Sequence, residues 1–400
     1  MATVLYLSYD GLMEPLGQSQ VWQYLSGLSE NHHIFLISFE KRADWENESE
    51  RARIKAAVAA KGVTWKPLRY HKRPSALATA FDIGQGVVVG AWVVIRYRVR
   101  IVHARSYVPS VIALVLKKLF RLKYIFDMRG FWADERVDGG LWPVGGRLYQ
   151  VAKWFERRFL LSADCVVSLT QAAIDEMSTF PYLQGHMPHF EHITTCADLE
   201  LFRPNSEDAV LRPADRPFTL GYVGSVGVWY LFDETLRCFQ LLREQLPNAR
   251  LHILNRGGHG YIQERMAALN IDPAVVRVEA EDHNGVARAM HRMDAGVFFI
   301  KPVYSKIASA PTKLGEFLGC GVPCLSNAGV GDMATILEKE RVGVALGDFS
   351  EAAMRDAIVR LLQLSREHGI QQRCRQVALE YFSLEEGSAR YRDIYDYLAK

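Results

Sequence analysis

The sequence predicts an α/β protein made of two parallel-sheet domains. Three observations support this prediction: short apolar runs alternate with longer helical segments, the alternation occurs twice, and one polar, proline-bearing segment separates the two series. Two such domains joined by one linker are expected to face each other across a cleft. Because open α/β sheets bind ligands at the carboxyl ends of their strands, we expect the ligand to lie between the domains.

The first series fills residues 1–204, which we assign to one domain. Its strands are short runs rich in β-branched and aromatic residues, and the segments between them have helical length. The predicted strands are 3–9, 33–39, 100–105, 123–128 and 164–169.

The second series follows a predicted linker at residues 205–217, which is polar and contains proline. It fills a second domain, 218–382, with predicted strands at 218–224, 249–254, 275–280, 294–300 and 321–326. Residues 383–400 predict a final helix, because Ser383 and Glu386 have the spacing of a capping box.

Composition sets limits on the class of protein. The chain has 400 residues and a net charge of +3, and its first residues, "MATVLYLSYDG", lack the basic start and small-residue cleavage site of a signal peptide. The sequence contains no run of about 18 uninterrupted apolar residues, so we predict no membrane-spanning helix. The six cysteines form no Cys-x-x-Cys pair, which favours reduced structural thiols. We therefore expect a cytoplasmic protein.

The charge is unevenly distributed along the chain. Residues 61–123 contain thirteen Lys and Arg but one acid, Asp82. The interleaved run "VIALVLKKLFRLK" (111–123) predicts a helix lying on an anionic membrane surface. The alternative is a solvated basic face. Nucleic acid is not an expected partner, because no finger, homeodomain or RNA-recognition signature accompanies the charge.

One acid stands in the middle of a predicted helix that begins near Pro311. Thr312 and Glu316 share one face of this helix, whereas Leu314 and Phe317 point into packing. The free N–H groups of the helix start suit phosphate, and a carboxylate roughly 6–7 Å along can accept hydroxyl hydrogen bonds from a ribose. The alternative is a glutamate that faces solvent.

Two further strand-to-helix junctions of the second domain carry glycine. "GYVGSVGVWY" (221–230) lets the backbone approach a phosphate closely, and "LNRGG" (254–258) adds Arg256 as an anion partner. Either segment alone could be a simple turn. Together with the helix of Glu316, they predict an anion-binding edge of one sheet.

In the first domain, two loops at strand ends are candidate sites. "YDGLMEPLGQSQ" (9–20) is long, and "DMRGFWADE" (127–135) is dense in charged and aromatic residues. The alternative is a surface loop with local ion pairs. We predict no metal site, because Pro188 interrupts the spacing of His186, His189 and His192.

Several segments in order resemble one family. They are "SYDGLMEPLGQSQ", "VHARSYVPS", "DMRGFWADE", "ADLELFRP", "YVGSVG", "DAGVFFIKP", "APTKLGEFLGCGVPCLSNAGVGD" and "YRDIYDYL". Together they are similar to the family 4 retaining glycosyltransferases with the GT-B fold, and the resemblance spans essentially the whole chain. It implies two Rossmann-like domains, the second for a nucleotide sugar and the first for an acceptor, with the last helix crossing back to the first domain. It also implies that Glu316 holds the donor ribose.

The resemblance and the loops together give a set of predicted site residues. Asp127 and Arg129 position the acceptor, with Asp127 or Glu135 as base; the other predicted acceptor residues are Asp10, Gln18, Arg105 and Trp132. The predicted donor residues are Gly17, Gly224, Ser225, Gly227, Asn255, Arg256, Thr312, Lys313 and Glu316. No metal or other cofactor is expected, because no Asp-x-Asp pair stands where a cation would be needed.

The chain departs from the family pattern at two places. The first acid of the family's Glu, seven residues, Glu motif would be residue 308, which is Ala308. The family's Arg and Lys that grip the diphosphate would fall where this chain has Ser225 and Trp229. Four cations could compensate: Arg256, Lys301, Lys306 and Lys313.

The predicted function is retaining transfer of a sugar from a nucleoside diphosphate to a glycan or lipid-linked glycan in cell-surface polysaccharide synthesis. We expect a cytoplasmic enzyme at the inner face of the membrane, held there through residues 61–123. The alternatives are a sugar-nucleotide epimerase on the same fold and a catalytically silent nucleotide-binding or scaffold protein. The identity of the sugar, base and acceptor stays open.

Overall fold

The computed structural model describes residues 1–73, 75–204 and 216–400. The chain forms two compact units: unit 1 comprises Met1–Thr194 with Leu384–Lys400, and unit 2 comprises Thr195–Ser383. The prediction that the last helix returns to the first domain is confirmed.

Unit 1 contains a parallel seven-stranded sheet with the order β3-β2-β1-β4-β5-β6-β7. The register pairs Val4 with Ile34 on one side and with Ile101 on the other. The strands are β1 Thr3–Ser8, β2 His33–Glu40, β3 Thr64–Arg69, β4 Ile101–Arg105, β5 Lys123–Asp127, β6 Cys165–Ser168 and β7 Phe190–His192.

The helices of unit 1 cover the sheet, and several begin at a side-chain cap. Asn47 and Thr170 accept hydrogen bonds from the backbone N–H groups of Glu50 and Ala173, as expected of N-cap residues. The helices are α1 Pro15–Gly17, α2 Gln23–Leu28, α3 Arg42–Trp45, α4 Glu48–Ala60, α5 Ser75–Tyr97, α6 Tyr107–Phe120, α7 Trp132–Asp138, α8 Arg147–Ser162 and α9 Gln171–Ser178.

Unit 2 contains a parallel six-stranded sheet with the order β10-β9-β8-β11-β12-β13. Its strands are β8 Thr219–Val223, β9 Arg250–Leu254, β10 Val276–Glu279, β11 Ala295–Val297, β12 Cys324–Asn327 and β13 Gly343–Leu346. Its helices are α10 Phe232–Gln245, α11 His259–Ala268, α12 His283–Met290, α13 Thr312–Gly319, α14 Met333–Lys339, α15 Glu351–Ser365 and α16 Ile370–Phe382. The last helix of the chain, α17 Leu384–Ala399, belongs to unit 1.

Both predicted sheets are present, and each predicted strand overlaps an observed one. The sequence missed β3, β7 and β13, which are all edge strands. β3 and β7 lack the apolar runs of central strands, since β3 contains Pro67 and β7 is Phe-Glu-His, whereas β13 is apolar but only four residues long.

Unit 2 begins at Thr195, earlier than the boundary at residue 204 that the sequence predicts. The reason is packing, because Ala197, Leu199 and Phe202 are buried in the core of unit 2. Most of the predicted linker, residues 205–215, lies outside the described residues.

The structure corrects the prediction of a membrane-surface helix at residues 111–123. This segment lies mainly in α6, where Ile112, Leu114 and Leu116 are buried in unit 1. Its apolar face is therefore a core face.

The structure also identifies an apolar helix that the sequence criterion missed. Among the described residues, Ala76–Tyr97 of α5 is long and apolar enough to cross a membrane, with a mean hydropathy of 1.6, and a third of it (33%) is buried. The sequence criterion was an uninterrupted apolar run, and Asp82 and Gln85 interrupt this helix.

Candidate functional site

Unit 2 carries a cavity of about 540 Å³ at the carboxyl ends of β8 and β9. Five predicted donor residues line it: Gly224, Ser225, Asn255, Arg256 and Glu316. The other lining residues are Val223, Val226, Leu254, Gly257, Gly258, Glu281, His283 and Val286. Thus four separate segments of the sequence build one site.

Asn255 fixes the shape of this cavity. Its side-chain amide donates to the carbonyl oxygen of Gly224 at 2.8 Å, and its amide oxygen accepts from the backbone N–H groups of Gly257 and Gly258. A Cβ at Gly258 would lie 2.5 Å from a methyl group of Val226, so glycine permits the two loops to meet. Asn255 is therefore a positioning residue of the loops.

Lys313 lies directly beneath Gly224. The backbone of Gly224 has a φ of 114°, which favours glycine, and a Cβ built there would lie 2.8 Å from the Lys313 Nζ. This ammonium is 8% exposed and lies 4.0 Å from the ring centre of Tyr230, with the rings of Tyr222 and Phe298 also close. Among the described residues, the Nζ atom has no hydrogen-bond partner.

Burial brings the two ionisable groups of α13 to similar pKa values. Burial lowers the pKa of Lys313 to about 7, and the charge of Glu316 opposes this shift. Burial raises the pKa of Glu316 to about 7, and the charge of Lys313 opposes that shift. Each group favours the charged form of its partner, so the protonation state of one depends on the charge of the other.

The remaining predicted donor residues lie apart from the cavity lining. Thr312 is the first residue of α13, and Gly227 lies in the β8–α10 loop with a φ of 79°. Gly17 belongs to unit 1, where a Cβ would lie 2.0 Å from the carbonyl oxygen of Gly11. Gly17 therefore has a packing requirement of its own.

The sequence analysis missed Glu281 and His283 as lining residues. Arg256 donates to the carbonyl oxygen of Glu281 at 3.0 Å, which fixes its guanidinium group. A Cβ at Gly285 would lie 2.0 Å from Glu281 Oε2, so the carboxylate lies against the start of α12. The signal available was a charged segment, "EDH", directly after a predicted strand.

The cations proposed to compensate for the missing family residues occupy different environments. Lys306 is buried, and its Nζ lies 3.9 Å from the ring centre of Trp229. Lys301 is exposed. Ala308, at the position of the missing acid, is 2% exposed and ends a short 3-10 helix, Tyr304–Ala308. Of these cations, Arg256 lines the cavity, and Lys313 lies beneath its Gly224.

Unit 1 gathers a second set of predicted residues at the ends of β1, β4 and β5. Arg105 lies 3.6 Å from Asp10 and 3.8 Å from Asp127, and Arg129 lies 3.7 Å from Asp127. The Tyr391 hydroxyl of α17 donates to Asp127 at 3.1 Å. We call Asp10, Arg105, Asp127 and Arg129 the unit 1 charge cluster.

Asp127 is an anchor within this cluster. Burial alone would raise its pKa, but the charges of Arg129 and Arg105 and the nearby His103 ring, 3.6 Å away, outweigh burial and lower the pKa to about 2. A carboxylate that remains ionised and is 1% exposed is a poor proton acceptor near neutral pH. The geometry therefore favours a positioning role over the base role that the sequence offered as one alternative.

Two buried atoms of the unit 1 charge cluster, Asp127 Oδ1 and Arg129 Nη1, form an ion pair at 3.7 Å that is too long to be a hydrogen bond. Asp127 Oδ1 and Arg129 Nη1 are buried and have no hydrogen-bond partner among the described residues. Arg129 has a φ of 58°, in the left-handed region, and its Nη2 donates to Gln20 at 3.2 Å. A residue in this backbone region whose buried donor makes an ion pair but no hydrogen bond is typical of a functional site.

The loop 9–20 is held by Glu40, which the sequence analysis did not select, and by Gln18, which it did. Glu40, at the end of β2, accepts hydrogen bonds from the backbone N–H groups of Leu12 and Met13. Gln18 donates to the carbonyl oxygen of Leu12 at 2.5 Å, so it also orders the loop. The available signal for Glu40 was an acid directly after the predicted strand 33–39.

Two predicted residues of unit 1 lie on α7. Trp132 packs on Tyr107 and Trp142 with ring centres 5.4 and 5.2 Å apart, and the Arg136 guanidinium lies over its ring. Glu135 is half-buried in the first turn of α7. Both remain predictions as site residues.

No three His, Cys, Asp or Glu side chains converge to hold a metal ion within residues 1–73, 75–204 and 216–400. The expectation that no metal is required stays a prediction.

Two family models match the chain. The model described as "Glycosyl transferase 4-like domain" matches residues 18–182, and the model "Glycosyl transferases group 1" matches residues 217–364. A search of curated proteins gives no match.

The structure is similar to several solved structures. Sucrose-phosphate synthase from Thermosynechococcus elongatus has a TM-score of 0.72 at 16% identity, over 100% of this chain and 99% of that one. A glycosyltransferase from Rickettsia africae ESF-5 has a TM-score of 0.68 at 13% identity, over 100% and 99%. HepE from Anabaena, in complex with UDP and glucose, has a TM-score of 0.68 at 12% identity, over 99% and 100%. At these identities the likeness is one of fold.

Proposed function

The chain belongs to the family 4 glycosyltransferases with the GT-B fold, and we propose that it transfers a sugar from a nucleoside diphosphate donor with retention of the anomeric configuration. The acceptor we propose is a glycan or lipid-linked glycan of cell-surface polysaccharide synthesis. The similar HepE structure contains UDP and glucose, which supports a nucleotide sugar as the donor.

One observation carries the proposal: the buried Lys313 ammonium beneath Gly224, on the same helix as Glu316, at the cavity of unit 2. A diphosphate at the Gly224 loop would meet the ammonium and the N–H groups of the glycine-bearing loops. Glu316 would then accept hydrogen bonds from the ribose hydroxyls. Lys313 thus takes the part of the Arg and Lys pair that the family carries elsewhere.

The same arrangement would lower the reaction barrier. As the anomeric bond loosens, negative charge gathers on the leaving diphosphate, and a fixed buried cation stabilises that charge without reorganisation. A double-displacement route needs a carboxylate nucleophile, and the family's candidate position is Ala308. We therefore propose departure and attack on the same face of the sugar, with the diphosphate accepting the acceptor proton.

In unit 1, the charge cluster is the proposed acceptor-positioning site. Asp127 Oδ1 and Arg129 Nη1 form an ion pair at 3.7 Å without a hydrogen bond, so an acceptor hydroxyl could accept from Arg129 and donate to Asp127. We further propose that the enzyme works in the cytoplasm at the inner face of the membrane, in contact with it through residues 61–123.

Ligand binding tests the donor assignment. A thermal-shift panel of nucleotide sugars identifies the donor, and calorimetry then compares Lys313→Met, Glu316→Gln and the matched control Lys301→Met, which removes an exposed cation. Loss of charge-assisted hydrogen bonds costs about 1.5–3 kcal/mol, so the first two variants should bind at least tenfold more weakly, with the control unchanged. Equal affinity for Lys313→Met and wild type would refute the assignment.

Product analysis tests the reaction. Proton NMR of the product should show the retained anomer, and intact-mass analysis with donor alone should show no sugar on the protein. An inverted product, or a mass increase of one sugar, would contradict the mechanism. Conversion of the donor without acceptor would indicate an epimerase, and binding without any turnover would indicate the silent relative.

A further inference from the structure

Helix α5 presents an apolar stripe to solvent. Its members follow helical spacing over nearly the whole helix and are between 48% and 71% exposed: Leu77, Phe81, Val88, Trp92 and Ile95. We call them the α5 stripe. Scattered exposed apolar residues are ordinary, but a continuous stripe about 27 Å long, from eighteen residues at 1.5 Å each, marks a contact surface.

The opposite face of α5 is committed to the core of unit 1. Asp82 is fully buried and bonded to Tyr9 at 2.9 Å, and Val93 is also buried. Cβ atoms at Gly86 and Gly90 would lie 2.4 and 2.8 Å from side chains of α6, so the two helices pack closely. A helix held in this way can lie on a membrane but cannot leave the unit to span one.

The surroundings of the α5 stripe are positive. Lys72 and Arg73 precede the helix, and Arg96 and Arg98 lie at its end, all four exposed. Asp82, the one acid of residues 61–123, is buried. The outer face of this segment therefore combines apolar side chains with cations and contributes no exposed carboxylate.

A second apolar strip lies in the same layer of helices. Helix α6 packs against both α5 and α8, and α8 exposes Leu148, Val151 and Trp154, each by more than half. A single helix of a protein partner would cover only α5 or α8, whereas a planar membrane surface can contact both. A second copy of the chain would bring two sets of cations together, which is unfavourable.

We propose that the α5 stripe is the membrane-contacting surface of the protein, inserted into the headgroup region of an anionic phospholipid leaflet. The apolar side chains enter the acyl boundary, and the flanking cations pair with lipid phosphates. The proposal rests on the peripheral membrane contact proposed above and identifies its surface. It is independent of sugar transfer, because the stripe contains no donor or acceptor residue.

Vesicle sedimentation of the full chain tests the proposal. The vesicles are phosphatidylcholine, alone or mixed with phosphatidylglycerol. Leu77→Ser/Val88→Ser should bind mixed vesicles about a hundredfold more weakly, at roughly tenfold for each buried aliphatic side chain. The matched control, Val359→Ser/Leu379→Ser, changes the same residue types on exposed positions of unit 2 and should bind as wild type. Lys72→Gln/Arg96→Gln should bind mixed vesicles about 25-fold more weakly, at about fivefold per cation. Its binding to phosphatidylcholine vesicles should equal that of wild type.

Each outcome supports or overturns the proposal. Nucleotide-sugar binding without vesicles reports the donor site separately and should equal wild type in all variants. Wild type that never sediments with mixed vesicles at low salt, or an α5 variant that sediments equally well, overturns the proposal. A wild-type dimer in sedimentation velocity that Leu77→Ser/Val88→Ser dissociates, without vesicle binding, assigns the stripe to self-association instead.

Discussion

The pH dependence of donor binding follows from the two pKa values near 7 on helix α13. The binding-competent form has Lys313 protonated and Glu316 ionised. With both pKa values at about 7, this form is most populated near pH 7 and falls about threefold at pH 6 and at pH 8. Wild-type affinity for a nucleotide sugar should therefore show a shallow maximum near neutral pH.

The two single variants should show opposite pH dependences of donor affinity. In Glu316→Gln, deprotonation of Lys313 alone remains, so the affinity should fall about tenfold or more from pH 6 to pH 8. In Lys313→Met, ionisation of Glu316 alone remains, so the affinity should rise as the pH increases. The raised pKa of Glu316 rises further when the opposing ammonium is absent, which moves the rise above pH 7.

Calorimetry with the nucleotide sugar from the thermal-shift panel is the assay. A nucleotide sugar is preferred to a nucleoside diphosphate, because a terminal phosphate titrates near pH 6 and would obscure the protein groups. Buffers of different ionisation enthalpy should show proton uptake by Glu316→Gln on binding at pH 7.5. Parallel pH profiles in wild type and both variants would refute the reasoning.

Three further predictions concern single residues. At pH 5, where Glu316 is neutral and Lys313 carries an uncompensated buried charge, Lys313→Met should stabilise the unliganded protein by about 1–4 kcal/mol in urea unfolding, because it removes a buried cation without a hydrogen-bond partner; destabilisation would show that the ammonium is structural. Asp127→Asn should destabilise unit 1 by about 3–5 kcal/mol, because Arg129 loses its counter-charge, and should lower turnover while donor affinity is retained; loss of donor affinity would contradict the assignment to the acceptor. Asn255→Ala should weaken donor binding and cost about 1–3 kcal/mol of stability, because two loops lose their shared hydrogen bonds; unchanged donor affinity would contradict its positioning role.

Much of the fold was predictable because central parallel strands leave a strong signal. Strands buried on both faces read as apolar runs, and β1, β4 and β5 were found at nearly their observed bounds. Edge strands such as β3 and β7 lack that signal. Helical spacing from Pro311 placed Glu316 on a different face from Phe317 but left a solvent-facing glutamate open, and the family resemblance favoured the site position; the structure shows Glu316 lining the cavity.

The parts that the sequence could not predict depend on contacts between distant residues. The aromatic rings next to the Lys313 ammonium belong to Tyr222, Tyr230 and Phe298. They come from different segments, and no spacing rule links them. Helix α5 is apolar on both its buried and its exposed faces, so the sequence alone does not show which face meets the core. In α6 the same ambiguity led to the incorrect membrane helix.

Helix α17 joins unit 1 although it follows all of unit 2 in the sequence. Tyr391 contacts Asp127, and Tyr395 lies 2.8 Å from His103, so the helix closes the charge cluster of unit 1. A ribosome completes unit 2 before these tyrosines emerge, and until then the cluster is left uncovered. Termination between residues 195 and 383 therefore removes α17 from unit 1, and the charge cluster then lacks both tyrosines.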